Sequence, residues 1–185
     1  YSTLDQAMDY FHYDIGFAFT KSFRSSRIEQ EVLRVPGVKA VESWGFASGR
    51  VLRDASKESE DEASKNVFVM APPINTQMIK PKIIAGRWLT AGDENALVVN
   101  TDVVKDRPDL KVGGPAVIKL GHRRLQFTVV GIAQSTLTGP FAFAPYDWFA
   151  GAVQETGRAR SVQILAQSAK EAEQSALARA LEEHL

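Results

Sequence analysis

Ile84-Ala85-Gly86-Arg87-Trp88-Leu89 opens, and Phe127-Thr128-Val129-Val130-Gly131-Ile132-Ala133 closes, the stretch from 83 to 133 whose reading decides the fold. Four apolar runs fall within it, Ile83 to Ala85, Leu97 to Val99, Ala116 to Leu120 and Leu125 to Ile132, and no long helical spacing joins them. Short runs rich in Val, Ile and Leu, punctuated by Gly, Asp and Asn, are the pattern of strands. Gly121-His122-Arg123 is a tight link suited to a hairpin between the last two runs, and Thr101 to Lys105 has room for one helical turn. The stretch therefore predicts a compact β-rich lobe.

Working outward towards the N-terminus, Pro72-Pro73 and Pro81 mark a crossing, and Asn66 to Ala71 holds a short apolar strand. Residues 54 to 65 carry five acids and no apolar side chain larger than Ala, which predicts a solvated loop. Upstream of it, Val38 to about Arg53 reads as a strand, and Pro36-Gly37 before it halts the preceding helix. Ser26 with Glu29 has the spacing of a capping box for a helix carrying Ile28, Val32 and Leu33. Tyr13, Ile15, Phe17 and Phe19 alternate with smaller or polar residues, a half-buried strand, and Leu4, Ala7, Met8 and Phe11 fit a short helix over 3–11.

Towards the C-terminus, Phe141 to Ala144 predicts a strand and Pro145 a helix start before Trp148 and Phe149. Ser161 to Ala166 predicts another strand. Ser168 and Glu171 form a second capping-box pattern ahead of a helix whose Leu177, Leu181 and Leu185 lie on one stripe. The order is β-α-β, then β-rich, then β-α-β-α. That order predicts an α+β protein: a split ferredoxin-like α/β lobe from residues 1–80 and 134–185, with a smaller β-rich lobe inserted at 81–133.

The chain has 185 residues, enough for two small lobes, with 22 Lys+Arg against 22 Asp+Glu and no cysteine. The even balance disfavours nucleic acid as a partner, and the absence of Cys excludes disulfides, thiolate metal sites and Cys nucleophiles. No run is long and apolar enough for a membrane span, yet the start at Tyr1 and the last helix, which lacks a stop signal, read as a piece cut from between membrane helices. His12, His122 and His184 have no metal-ligand spacing, and no nucleophile-elbow, phosphate-loop or dinucleotide motif is present. Neither a catalytic residue nor a cofactor or metal site is predicted. Asp93 and Glu94 read as turn and strand-start residues, because neighbours on an extended chain point apart. Arg123 and Arg124, with Lys119, either bind a phosphate or lipid head group or guard a hairpin edge in solvent. Leu137, Phe141 and Phe143 flank an apolar Gly-Pro loop that can meet a partner or substrate, although aromatics in strands more often belong to a core.

Four phrases in order carry a resemblance: Gly86-Arg87-Trp88-Leu89, then Glu94 to Asn100, then Leu110-Lys111-Val112-Gly113, then Val129-Val130-Gly131-Ile132. Leu33-Arg34-Val35-Pro36-Gly37-Val38 and Ala144-Pro145-Tyr146 extend it over most of the chain, while Gly114 stands where an acid is usual. The sequence resembles the extracytoplasmic core domain of MacB/FtsX/LolC-type ABC transporter permeases. The resemblance implies a porter-like α/β lobe with a β-rich insertion, held at the bacterial cytoplasmic membrane and facing the periplasm or cell exterior. It implies partners: membrane helices of the same permease, an ATP-binding subunit, and a periplasmic partner protein or second permease copy. The domain would not be an enzyme; its terminal helices, 3–11 and 169–185, would pass ATP-driven motion to a substrate or partner. The other expectation is a stand-alone extracytoplasmic binding module for a lipid, lipoprotein or peptide.

Overall fold

The computed structural model describes residues 13–52, 66–136 and 139–185. In chain order its elements are β1 (Ile15–Arg24), α1 (Ser25–Leu33), β2 (Val38–Leu52), β3 (Asn66–Ala71), β4 (Ile83–Gly86), β5 (Ala96–Asn100), α2 (Thr101–Asp106), β6 (Pro115–Leu120), β7 (Arg123–Ala133), β8 (Phe141–Phe143), α3 (Tyr146–Ala152), β9 (Arg158–Ala166) and α4 (Glu171–His184). The protein is α+β, as expected. The predicted helix over 3–11, His12, the acidic stretch 54–65 and Leu137 lie outside the described residues.

β9 lies between β1 and β2 and is antiparallel to both, so β1 and β2 run parallel to each other. One face of this three-stranded layer is covered by helices. Val32 of α1 and Leu177 and Leu181 of α4 close over Ile15, Val38, Val162, Ile164 and Ala166. Burying a Leu or Val stabilises by roughly 1.5–3 kcal/mol, so this small core is what holds both helices down. β1 is interrupted by a bulge between Ala18 and Phe23. A bulge frees backbone carbonyls, and two arginines of β9 take them up: Arg160 donates to Thr20 O at 2.9 Å and Arg158 to Ser22 O at 2.8 Å.

β2 is long enough to serve two layers. Val38 to Trp44 pair with β9, whereas Gly45 to Arg50 pair with β3 and Arg50 to Leu52 with β6. From there the pairings close on themselves: β2 with β3, β3 with β8, β8 with β5, β5 with β7, β7 with β6, and β6 with β2. Six strands thus form a ring, with β3/β8 and β5/β7 parallel and the other pairs antiparallel. Val51, Val69, Leu97, Ile118, Phe127 and Val129 fill its interior, and Phe149 of α3 and Val103 of α2 join the same core. The ring takes β2, β3 and β8 from outside the segment 81–133.

The connection from 72 to 90 wraps the outside of the ring over Val98 and Phe143, burying Met78, Ile79 and Leu89 with Trp44 in another core. Its anchor is Glu42, whose carboxylate accepts hydrogen bonds from Trp44 Nε1 at 3.0 Å, from Gln77 N at 3.0 Å and from Thr76 Oγ1. Tyr13 stands edge-on to the Trp44 ring at 6.0 Å, and burial pushes its phenol above its ordinary pKa.

Both expected capping boxes are corrected. α1 starts after Arg24 and α4 after Lys170, neither with a side-chain cap. Ser168 instead accepts from Lys170 N at 3.1 Å, one residue before its expected target, Glu171 N. The cap that does form is unforeseen: Asn100 Oδ1 accepts from Val103 N at 3.1 Å and opens α2.

Candidate functional site

Side chains alternate in and out along every strand of the ring. Where Val51, Ile118 and Leu125 point inwards, their neighbours Arg50, Lys119 and Arg124 point out. Arg50 lies directly opposite Lys119, and Lys119 directly opposite Arg124, giving a row of three cations across β2, β6 and β7. On its other flank Arg50 is opposite Asn66, two residues from Phe68 on the outward side of β3. Phe68 is 37% exposed and sits between two further rings, Phe46 of β2 at 5.8 Å and Phe141 of β8 at 5.6 Å. The rings lie at interplanar angles of 21° and 33° and form a continuous apolar stripe. Aromatic stripe and basic row together cross five neighbouring strands, about 19 Å at the usual strand spacing.

The candidates read from the sequence divide on this geometry. Phe141 and Arg124 belong to the face, and Lys119 joins them. Phe143 is 1% exposed and packs edge-on to Trp88 at 5.4 Å inside the core under 72–90. Arg123 points away from Arg124, since its register partner is the inward Leu120. Its guanidinium donates to Gln154 Oε1 at 2.9 Å and reaches Ala152 O at 3.4 Å, a cation placed at the C-terminal end of α3. Phe46, Arg50 and Phe68 were missed. Period two marks them as outward residues, but their companions sit on strands far along the chain.

The motif phrases have a structural explanation. β4 approaches β7 so closely that a Cβ on Gly131 would meet Arg87 O at 2.0 Å, and one on Gly86, at φ +69°, would meet Val130 O at 2.2 Å. Arg87 N donates to Val130 O at 2.9 Å, and its side chain turns back to Asp93. A shallow groove of about 430 Å³ lies beside this crossing, lined by Gly86, Arg87, Val112, Gly113 and Thr128 to Val130. The hydrogen bond to Asp93 raises the Arg87 pKa, and Glu155 does the same for Arg160.

His122 is exposed in the two-residue turn between β6 and β7, where Gly121 at φ +61° makes the tight reversal possible. Among the described residues no three His, Asp or Glu side chains gather as a metal would require. No helix among them is long and apolar enough to cross a membrane.

No protein-family model and no curated protein matches the sequence. Solved structures do match. The extracellular domain of the noncanonic ABC-type transporter YknZ from Gram-positive bacteria is similar with a TM-score of 0.59 at 16% identity, over 91% of each chain. The periplasmic region of MacB from Actinobacillus actinomycetemcomitans is similar with a TM-score of 0.57 at 12% identity, over 100% of this chain and 90% of that one. The chain thus has the fold of these extracellular and periplasmic transporter domains, which is the MacB-like extracytoplasmic fold that its sequence motifs resemble.

Proposed function

We propose that the chain is the extracytoplasmic domain of an ABC transporter permease subunit of the MacB/FtsX/LolC kind, coupling ATP-driven movement of membrane helices to a substrate or periplasmic partner protein. The observation that carries this reading is the match to YknZ over nine-tenths of both chains, which leaves little of either domain unshared. The domain then faces the periplasm or exterior from the bacterial cytoplasmic membrane, tethered to helices of the same permease. An ATP-binding subunit supplies the hydrolysis, and a periplasmic partner protein or second permease copy receives the motion. Catalysis of its own is not part of this reading.

β1-α1-β2 with β9 between its strands serves in this account as the split ferredoxin-like, porter-like unit. Residues 81–133 form the inserted lobe, completed by β2, β3 and β8. β2 is the mechanical link. Displacement of the helix-covered layer passes along its unbroken backbone into the ring, because strand hydrogen bonds on both halves resist slipping.

A direct test is available because the chain has no cysteine. Ser175→Cys, on the exposed side of α4, placed in the full permease should react with a membrane-impermeant maleimide on intact spheroplasts. An ATP-binding subunit should co-purify with that permease in detergent. Labelling only after lysis, or purification without any ATPase, would sink the proposal.

A further inference from the structure

We infer that the turn from Val153 to Gly157, between α3 and β9, is a releasable strap: folded, it clamps the strand ring against the helix-covered layer, and drawn straight, it lets the two part on that side while the side under 72–90 stays shut. The inference deepens the proposed function by naming where the layer can yield against the ring, and it rests on that reading for the force that draws the strap.

The two faces of β2 are joined differently at the point where it passes from β9 to β3. Trp44 points into an apolar core that holds Met78, Ile79 and Leu89 with Val98 and Phe143 of the ring and takes in Ala40 and Leu165 of the layer. A core shared by both halves parts only by exposing its apolar surface to water. Ser43 and Gly45 face the other way. There the core beneath the helices and the core inside the ring are separate. Ser43 is buried, and its hydroxyl meets no protein partner, which costs stability instead of adding to it. Phe149 of α3 rests on Gly45, so close that a Cβ would meet its ring at 2.8 Å, and polar contacts around the turn close the rest.

Those contacts reach both halves. On the ring side Arg123 of β7 donates to Gln154 Oε1 at 2.9 Å. On the layer side Arg160 of β9 donates to Glu155 Oε1 from Nη2 at 2.7 Å and from Nε at 3.0 Å, and Ser25 N at the start of α1 donates to Gly157 O at 3.1 Å. Tyr146 of α3 adds a bond to Arg158 O at 2.6 Å. The ion pair is partly exposed, where such pairs hold weakly. Between these anchors Gln154 is kept at φ +59°, the one non-glycine residue among the described residues in the left-handed region. A side chain adopts that conformation at a cost and keeps it only where its surroundings enforce it. Strain at Gln154 thus favours release and the Glu155 pair favours closure. Straightened, the five residues span about 17 Å, ample slack for the junction to open.

Because the chain has no cysteine, a single thiol reports the opening. Ser43→Cys puts it beneath the strap, and Ala96→Cys, buried in the core on the other side, is the reference. Each is labelled in the folded chain with an uncharged maleimide, alone and combined with Glu155→Gln. Glu155→Gln should speed labelling at position 43 five-fold or more and leave position 96 unchanged. An unchanged rate at position 43, or equal acceleration at both positions, as unfolding of the whole domain would give, overturns the inference. If circular dichroism shows a thiol variant unfolded, hydrogen exchange in Glu155→Gln reads the same two sides: the Ser25 amide should exchange faster relative to the Gln77 amide, and an unchanged ratio overturns the inference. None of these outcomes bears on labelling of Ser175→Cys in spheroplasts or on ATPase co-purification, so the two readings fail separately.

Discussion

Arg87 grips Asp93 with both terminal nitrogens, Nη1 to Oδ2 at 2.9 Å and Nη2 to Oδ1 at 3.0 Å, across the turn that follows β4. The same carboxylate accepts from Thr90 N at 2.7 Å, so one side chain fastens both the motif arginine and the backbone of its turn. The hydrogen bond from Arg87 holds the Asp93 carboxyl below its ordinary pKa. A lowered folded value means that the ion pair stabilises the fold above the unfolded pKa of about 3.9 and that this contribution disappears as pH falls through the folded value. With Arg87 half exposed, Asp93→Ala should cost about 1 kcal/mol at pH 7. Urea unfolding at pH 7 and at pH 2.5 should show the gap between wild type and variant narrowing at the lower pH; a constant gap would place the effect elsewhere.

Glycine substitutions at two sites should act in opposite directions. Gly131→Ala drives a methyl group into Arg87 O and should destabilise by about 3 kcal/mol, the upper range for overpacking. Gly151→Ala, in α3 with open space around it, should stabilise by about 0.5–1 kcal/mol through helix propensity. Denaturation midpoints of the two variants decide the matter, and equal shifts would contradict the crossing geometry.

Removing the Glu42 carboxylate strands three donors together, among them the indole of a Trp44 that is 1% exposed. Glu42→Ala should cost about 2–3 kcal/mol, in the range for buried donors left unpaired. Limited proteolysis should then cut within 72–79 before anywhere else in β2 or β3. A wild-type cleavage pattern would mean that the connection is held by its apolar side chains alone.

The local signals explain what the sequence disclosed and where it stopped. Alternation in Ile15 to Phe19 and in Val67 to Val69 states which side chains turn inwards, because a strand's faces are set by the strand itself. The hairpin at Gly121-His122 is likewise local. What no local signal encodes is that Arg50 pairs with Lys119, or that β8 lies between β3 and β5; such partners are chosen by the closure of the whole ring. For the same reason Phe141 could be read as an aromatic near a Gly-Pro loop but not as the end of a stack with Phe46 and Phe68. Arg123 and Arg124 looked alike as neighbours, and only the register separated one to the end of α3 and the other to the outer row. The capping boxes misled because Ser26 and Ser168 can satisfy the same spacing rule without sitting at the helix boundary.

The two allegiances of β2 govern the order in which this chain can mature. Its second half finds β3 early, but its first half waits for β9, the last strand, so β2 is only half paired until the chain is nearly complete. Contacts of such long sequence separation form slowly, and strand edges stay open to wrong partners meanwhile. An N-terminal fragment ending before β6 would carry the first half of β2, Val38 to Trp44, without its β9 partner. Such a fragment should therefore aggregate instead of folding as half a domain, which makes the arrival of β9 a checkpoint for the entire domain.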